Sequence, residues 1–274
     1  MFIIKKIFWG LVYFLGINFI YNKIKPAKLL LVGGHSISSK EDKEKLHHKL
    51  YKDYSIDKKF LEKQIKYLLR KNYRFLNFEK IDEILSKGQK LSKKSIVMYF
   101  DDGFKDIYLN AYPIFKKYNL PFVIFVSTDL IDRNPLPKEV SRRLAKLSRE
   151  QEKIFLTWEE IKEIDLAEIG SHGVTHKDFI DLTDQELKKE LLKSGERIKK
   201  ETGKKPIALS YPHGKYNQKI KNLVEITGYK FAVITKGGQA DLRDKFELKN
   251  IVIYPTDNML IFKLKLGIFY RITN

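Results

Sequence analysis

Asp101-Asp102-Gly103 places two carboxylates on neighbouring residues, directly after the apolar, β-branched run over residues 95–100. Two such charges at the end of a buried strand repel one another and both lose hydration, so the pair calls for a cation or a proton-transfer role. The bland alternative is a turn in which an Asp caps the following helix. A second set of residues favours the cation. His172 and His176 stand four apart in Ser171-His-Gly-Val-Thr-His176, a spacing that lets both imidazoles face one ion from a helical turn or a compact loop. By itself the spacing is weak, but Gly170, Ser171 and Gly173 argue against a packed helix interior. Two neutral imidazoles and one carboxylate form an open metal site that keeps a position for water. The same donor set also serves non-haem iron. On the metal reading one aspartate binds the cation, and that positive charge keeps the other ionised as a base.

The elements that must carry these residues alternate between strand and helix periodicity. Strands are expected over residues 28–32, 95–100, 122–127, 167–170, 207–210, 230–234 and 250–253, with helices between them. Asn77, Thr157-Trp-Glu-Glu160 and Thr183-Asp-Gln-Glu186 carry the residue types that cap helix starts. Gly203 and Gly228 sit where helices should stop. This alternation predicts a parallel sheet covered by helices. Seven or eight strands suit a barrel; the alternative is an open doubly wound sheet, for which Val32-Gly-Gly-His35 is only a weak phosphate-loop candidate. The polar clusters then fall into place. Gly33-Gly-His35, Asp101-Asp102, Ser171 to His176 and Tyr211-Pro-His-Gly214 each follow an expected strand. Sites in parallel α/β folds form at the carboxyl ends of strands, so these clusters converge on one face.

The 274 residues, 43% hydrophobic, are enough for one large domain, and cysteine is absent, which excludes disulfides and Cys-based metal sites. A net charge of +19 favours anionic partners, among them a membrane surface, although the lysines are spread along the chain and no nucleic-acid signature accompanies them. Nucleic acid is therefore not an expected partner. Residues 1–27 read as an apolar N-terminal helix that lies on a membrane or packs on the core, with an uncleaved anchor as the alternative. Membrane association is the expected location and the cytoplasm the alternative. The catalytic unit is expected over 28–274, with a basic excursion at 133–153 holding an amphipathic helix.

Asp101-Asp102-Gly103 after an apolar strand, His172-x-x-x-His176 after Glu168-Ile-Gly-Ser, and Tyr211-Pro-His-Gly214, in that order, resemble the polysaccharide deacetylases of the NodB-homology group, carbohydrate esterase family 4. The resemblance spans roughly residues 28–255 and is nearest to the poly-N-acetylglucosamine deacetylase branch. It implies a distorted (β/α) barrel of about seven parallel strands with one divalent metal ion, most often zinc. It assigns Asp102, His172 and His176 as metal ligands, Asp101 as catalytic base and His35 as catalytic acid. Tyr211, Pro212 and His213 would line the substrate groove, with a backbone N–H of that loop facing the oxyanion. The sequence departs from the pattern in having Gly34 rather than Tyr before His35, and His213 where an aromatic is usual. His213 is thus a second candidate for the acid. The implied activity is metal-dependent hydrolysis of an N-acetyl or other N-acyl group from an amino sugar in a polysaccharide. The alternatives are a deacylase of a lipid-linked amino sugar at the membrane, and a metal-bearing sugar-binding module without catalysis.

Overall fold

The structure, a computed structural model, describes residues 29–39, 54–91, 94–132 and 154–267. The expected apolar helix over 1–27 and the basic excursion over 133–153 lie outside those residues. β1 (Leu29–Gly34) is followed by short strands β2 (Ser36–Ser38) and β3 (Ser55–Asp57), helix α1 (Lys58–Arg70), β4 (Arg74–Phe75), α2 (Phe78–Ser86) and β5 (Ser95–Phe100). A π-helical turn (Ile107–Ala111) leads into α3 (Tyr112–Tyr118), then β6 (Phe122–Val126), α4 (Trp158–Glu163) and β7 (Ala167–Ser171). The chain continues through α5 (Asp184–Thr202), β8 (Ala208–Ser210), α6 (Gln218–Ile226), β9 (Phe231–Gly237), β10 (Leu248–Val252) and α7 (Met259–Lys265).

Local chemistry sets the helix ends. Asp57 accepts from the backbone N–H groups of Lys59 and Phe60 at the start of α1, and Asn77 from that of Lys80 at the start of α2. Thr157 and Thr183 complete capping boxes with Glu160 and Glu186. Each such cap satisfies an otherwise orphaned donor and contributes about 1 kcal/mol. α5 ends at Gly203, whose φ of 77° needs a residue without Cβ.

All ladders of the main sheet are parallel, and the sheet closes. β1 pairs with β10 on one side and with β5 on the other, the latter from Leu29 opposite Ser95 to Gly34 opposite Phe100. Seven strands, β1, β5, β6, β7, β8, β9 and β10, thus form a barrel, and an open doubly wound sheet is excluded. β4 pairs with the first half of β5 and β6 with its last two residues. Side chains alternate across a strand, and the core divides accordingly. Leu29, Leu31, Val97, Tyr99, Val123, Phe125, Phe231 and Val233 fill the interior together with Phe78, Ile81 and Ile84 of α2. Leu30, Val32, Ile96, Met98, Phe122 and Ile124 face outward under the surrounding helices.

Helix α2 therefore closes the end of the barrel where the strands begin. Its first turn is fastened from inside: Glu168 of β7 accepts the Glu79 N–H at 2.9 Å. Burial pushes the Glu168 carboxyl up to about 7, against the pull of that backbone bond. Gly33 shows how tightly the interior is filled. A Cβ there would come within 2.3 Å of the Tyr99 ring, and Asn250 donates to the Tyr99 hydroxyl from the next wall. Gly33 and Gly34 are strand residues of β1, which removes the phosphate-loop reading of that segment.

Candidate active site

The opposite end of the barrel, where the strands finish, gathers the polar clusters. Asp101 and Asp102 follow β5. The Asp101 N–H continues the ladder to the Gly34 carbonyl at 3.0 Å, which turns the next residue out of the sheet, and Asp102 takes φ 73°. The His172 N–H likewise extends the β7 ladder to the Val126 carbonyl at 2.9 Å. The turn from His172 to His176 is pinned by Glu190 of α5, whose Oε2 accepts the N–H groups of Val174 and Thr175 at 2.7 and 3.0 Å. Gly173 allows this approach, because a Cβ there would stand 3.1 Å from that same oxygen.

One ligating atom each from Asp102, His172 and His176 lies within 4.8 Å of the others. The Nε2 atoms of His172 and His176 stand 3.4 and 3.1 Å from Asp102 Oδ1, yet that buried oxygen has no hydrogen-bond partner of acceptable geometry. His172 explains why a cation fits. Its Nδ1 meets the Ser210 carbonyl at 2.7 Å. A carbonyl only accepts, so Nδ1 carries the hydrogen and Nε2 of the neutral ring is a lone pair. A nitrogen lone pair and a carboxylate oxygen converging without a hydrogen between them form the donor set of a divalent-ion site. When instead the rings are protonated, His172 and His176 donate to Asp102 and hold its carboxyl well below its ordinary value, against the burial that would raise it.

Asp101 behaves oppositely. It is buried, its Oδ1 has no partner, and burial pushes its carboxyl up; His172 and His35 oppose the shift and Asp102 adds to it. Two adjacent carboxylates are thus driven apart in proton affinity, the arrangement that separates an ion-holding acid from a proton-accepting one. His35 stands at the end of β1 and is near enough for its charge to act on both aspartates.

The Tyr211 to Gly214 loop follows β8, but its side chains divide. Tyr211 is buried, stacks on Tyr216 and donates to the Phe246 carbonyl at 3.1 Å, so its ring holds the loop and does not line the groove. Pro212 is buried too. His213 is exposed, takes φ 54°, and sets its ring edge-on to His176 at 4.7 Å. Asp178, which sequence reasoning passed over, contacts His213 Nδ1 and Lys215 Nζ. That engagement directs this carboxylate away from the cluster although it is only two residues from His176. Glu190, Ser210 and Asp178 have no local signature; three different elements bring them in.

A closed parallel barrel with an Asp-His-His cluster and a second buried carboxylate at its carboxyl end defines a candidate metal-assisted hydrolase. Comparison with known proteins sharpens the class. The polysaccharide deacetylase family model matches residues 88–232. A Bacillus subtilis (strain 168) protein named as a polysaccharide deacetylase, YxkH, is 30% identical over 218 residues, covering 79% of this chain and 67% of the relative. The poly-β-1,6-N-acetyl-D-glucosamine N-deacetylase of Staphylococcus aureus (strain MSSA476) is 29% identical over 211 residues, covering 76% and 66%. The chain thus spans about two thirds of the length of either relative. Among solved structures, the Streptococcus pyogenes deacetylase PplD in complex with acetate superposes with a TM-score of 0.69 at 24% identity, covering 85% of this chain and 95% of that one. The chain belongs to the polysaccharide deacetylase family, and with it to the hydrolases of non-peptide carbon–nitrogen bonds.

Proposed function

We propose that this chain removes the N-acetyl group from an amino sugar within a polysaccharide, using a divalent ion held by Asp102, His172 and His176. The observation that carries the reading is the convergence of those three ligating atoms beside Asp101, a buried carboxylate with an unpartnered oxygen and a raised proton affinity. When bound, the ion supplies Lewis acidity and a water of lowered pKa. Asp101 takes the proton of the attacking water. The water oxygen bonds to the acyl carbon, the carbon–nitrogen bond breaks, and the leaving nitrogen receives a proton from His35. Acetate and a free amine result. His213 is the second candidate for this donor, because the contact of its Nδ1 with Asp178 leaves Nε2 free to face the substrate.

The oxyanion needs a donor, and the β8 loop offers one. The Tyr211 N–H is taken by the Val233 carbonyl, that of Gly214 by Tyr211 and that of Lys215 by Pro212, and proline has none. The His213 N–H is the donor left for substrate in this loop among the described residues. Such a donor acts when it points at the charge that develops in the transition state.

Zinc suits the donor set, with ion identity decided by metal add-back. Membrane association through residues 1–27 belongs to the same proposal and is tested by a carbonate wash. Among the described residues no helix is long and apolar enough to cross a membrane. The decisive assay is acetate release by purified protein from N-acetylated glycans and from a lipid-linked N-acetylamino sugar, with and without chelator. Release that stops with chelator and returns with zinc supports the reading. Release only from the lipid-linked substrate replaces the polysaccharide, and glycan binding without release replaces the enzyme by a sugar-binding module.

A further inference from the structure

The open end of the barrel carries an aromatic pair that the reaction leaves unused. Seven large hydrophobic side chains are exposed among the described residues, and only two are aromatic: Tyr54 at 45% and Tyr254 at 48%. Tyr54 stands beside His35, and Tyr254 leaves the same end of the barrel. β2 and β3 pair with Ser36 opposite Ser55, so the residues just before them, His35 and Tyr54, lie side by side. Their ring centroids are 5.1 Å apart at 52°. β1 and β10 pair with Gly33 opposite Val252, and the Ile253 N–H reaches the Gly33 carbonyl at 3.0 Å. Tyr254 therefore leaves the same end of the barrel one strand away. Burial, Asp257 and the Tyr54 phenol together raise the Tyr254 phenol.

Tyr254 is held in place. The Tyr254 N–H donates to Asp257 Oδ2 at 2.9 Å, and the buried Lys265 ammonium sits 4.6 Å from the Tyr254 ring centroid while bonding Asp257 and the Val252 carbonyl. Scattered exposed hydrophobics are ordinary, but a tyrosine packed on a proposed proton donor and a second leaving the same barrel end one strand away are not scattered. A tyrosine offers a flat apolar face with a hydrogen-bonding tip, and ordering it costs little side-chain entropy. A pyranose ring has the matching chemistry, with an apolar face of C–H groups and a rim of hydroxyls.

We propose that Tyr54 and Tyr254 form a stacking subsite for a sugar ring of the polymer next to the unit being deacetylated. This rests on the functional reading above and adds the preference for chain length. One aromatic contact corresponds to about two- to tenfold in affinity, so removing both should cost roughly four- to hundredfold.

The test compares kcat/KM on the N-acetylglucosamine monomer and its β-1,6-linked hexamer for the full chain, the Tyr54→Ala/Tyr254→Ala variant and the Tyr54→Phe/Tyr254→Phe variant. The alanine variant should lose the preference for hexamer by that factor, chiefly through KM, and the phenylalanine variant should keep it. Equal losses on both lengths, or no loss on either, overturn the subsite. Calorimetric titration of hexamer into the same three proteins decides the matter without catalysis. If the unaltered chain binds hexamer but releases no acetate, the functional reading fails while the tyrosines are still judged by binding. If it binds no hexamer, the subsite fails.

Discussion

Glu168→Gln should make this protein more stable at neutral pH and above, with a gain that grows from about pH 5 and levels off past about pH 7. Glu168 lies inside the start of the barrel, where its carboxyl accepts the Glu79 N–H and is raised from 4.5 to about 7 by burial. A carboxyl that holds its proton more tightly in the folded state than in the unfolded state penalises folding as pH rises. The penalty begins near the unfolded value of 4.5, grows until the pH passes about 7, and is constant above that. At about 1.4 kcal/mol per pKa unit, the full penalty is about 3.5 kcal/mol, of which about 2.5 kcal/mol develops between roughly pH 5 and pH 8. Glutamine never ionises, yet its side-chain oxygen still accepts the Glu79 N–H. Urea unfolding of both proteins at the two pH values measures the difference directly, and every other titrating group cancels in the comparison. The variant should gain about 2.5 kcal/mol relative to the unaltered chain on going from pH 5 to pH 8. Parallel stability curves would refute the argument, because the Glu168 proton would then be held equally in both states.

Asp101→Asn should lower turnover by about 10² to 10⁴ while the metal content of the purified protein is unchanged; loss of metal would make Asp101 a ligand. Glu190→Ala frees the turn that holds His172 and His176 and should weaken zinc binding by about ten- to hundredfold, read by competition with a chelator. Gly33→Ala drives a methyl group into the Tyr99 ring and should cost about 1–3 kcal/mol in denaturant unfolding. Adding Tyr99→Leu should return part of that stability, and the absence of any rescue would mean the clash lies elsewhere.

The parts of the fold that rest on local pattern were legible. Short apolar runs marked β1, β5 and β6, and the polar residues that follow the strands became the site because a parallel barrel aligns strand ends. Asn77, Thr157 and Thr183 marked helix starts because capping is decided within four residues. Closure was legible only through the strand count and the family resemblance, since the β1–β5 and β1–β10 ladders themselves join residues 60 and more positions apart. β2, β3 and β4 were missed for another reason: two or three residues are too few to show a period. Within the site, Tyr211 shows where motif reading stops. The motif suggests a groove residue, whereas the ring packs with Phe179 and Tyr216 because α5 and α6 offer it an apolar slot. Asp178 and Glu190 act through partners that only the folded chain brings near, and nothing in their own neighbourhoods announces it.

Three of the seven non-glycine residues with positive φ among those described are Asp102, His176 and His213, all at one end of the barrel. A left-handed backbone costs a side chain with Cβ about 1 kcal/mol or more. Glycine at any of the three would relieve that strain, and asparagine would relieve part of it. Selection for thermal tolerance alone would therefore accept substitutions there that a screen for deacetylation rejects. A consensus or library approach that ranks variants by melting temperature would drift toward sturdy, inert barrels unless these positions were held fixed.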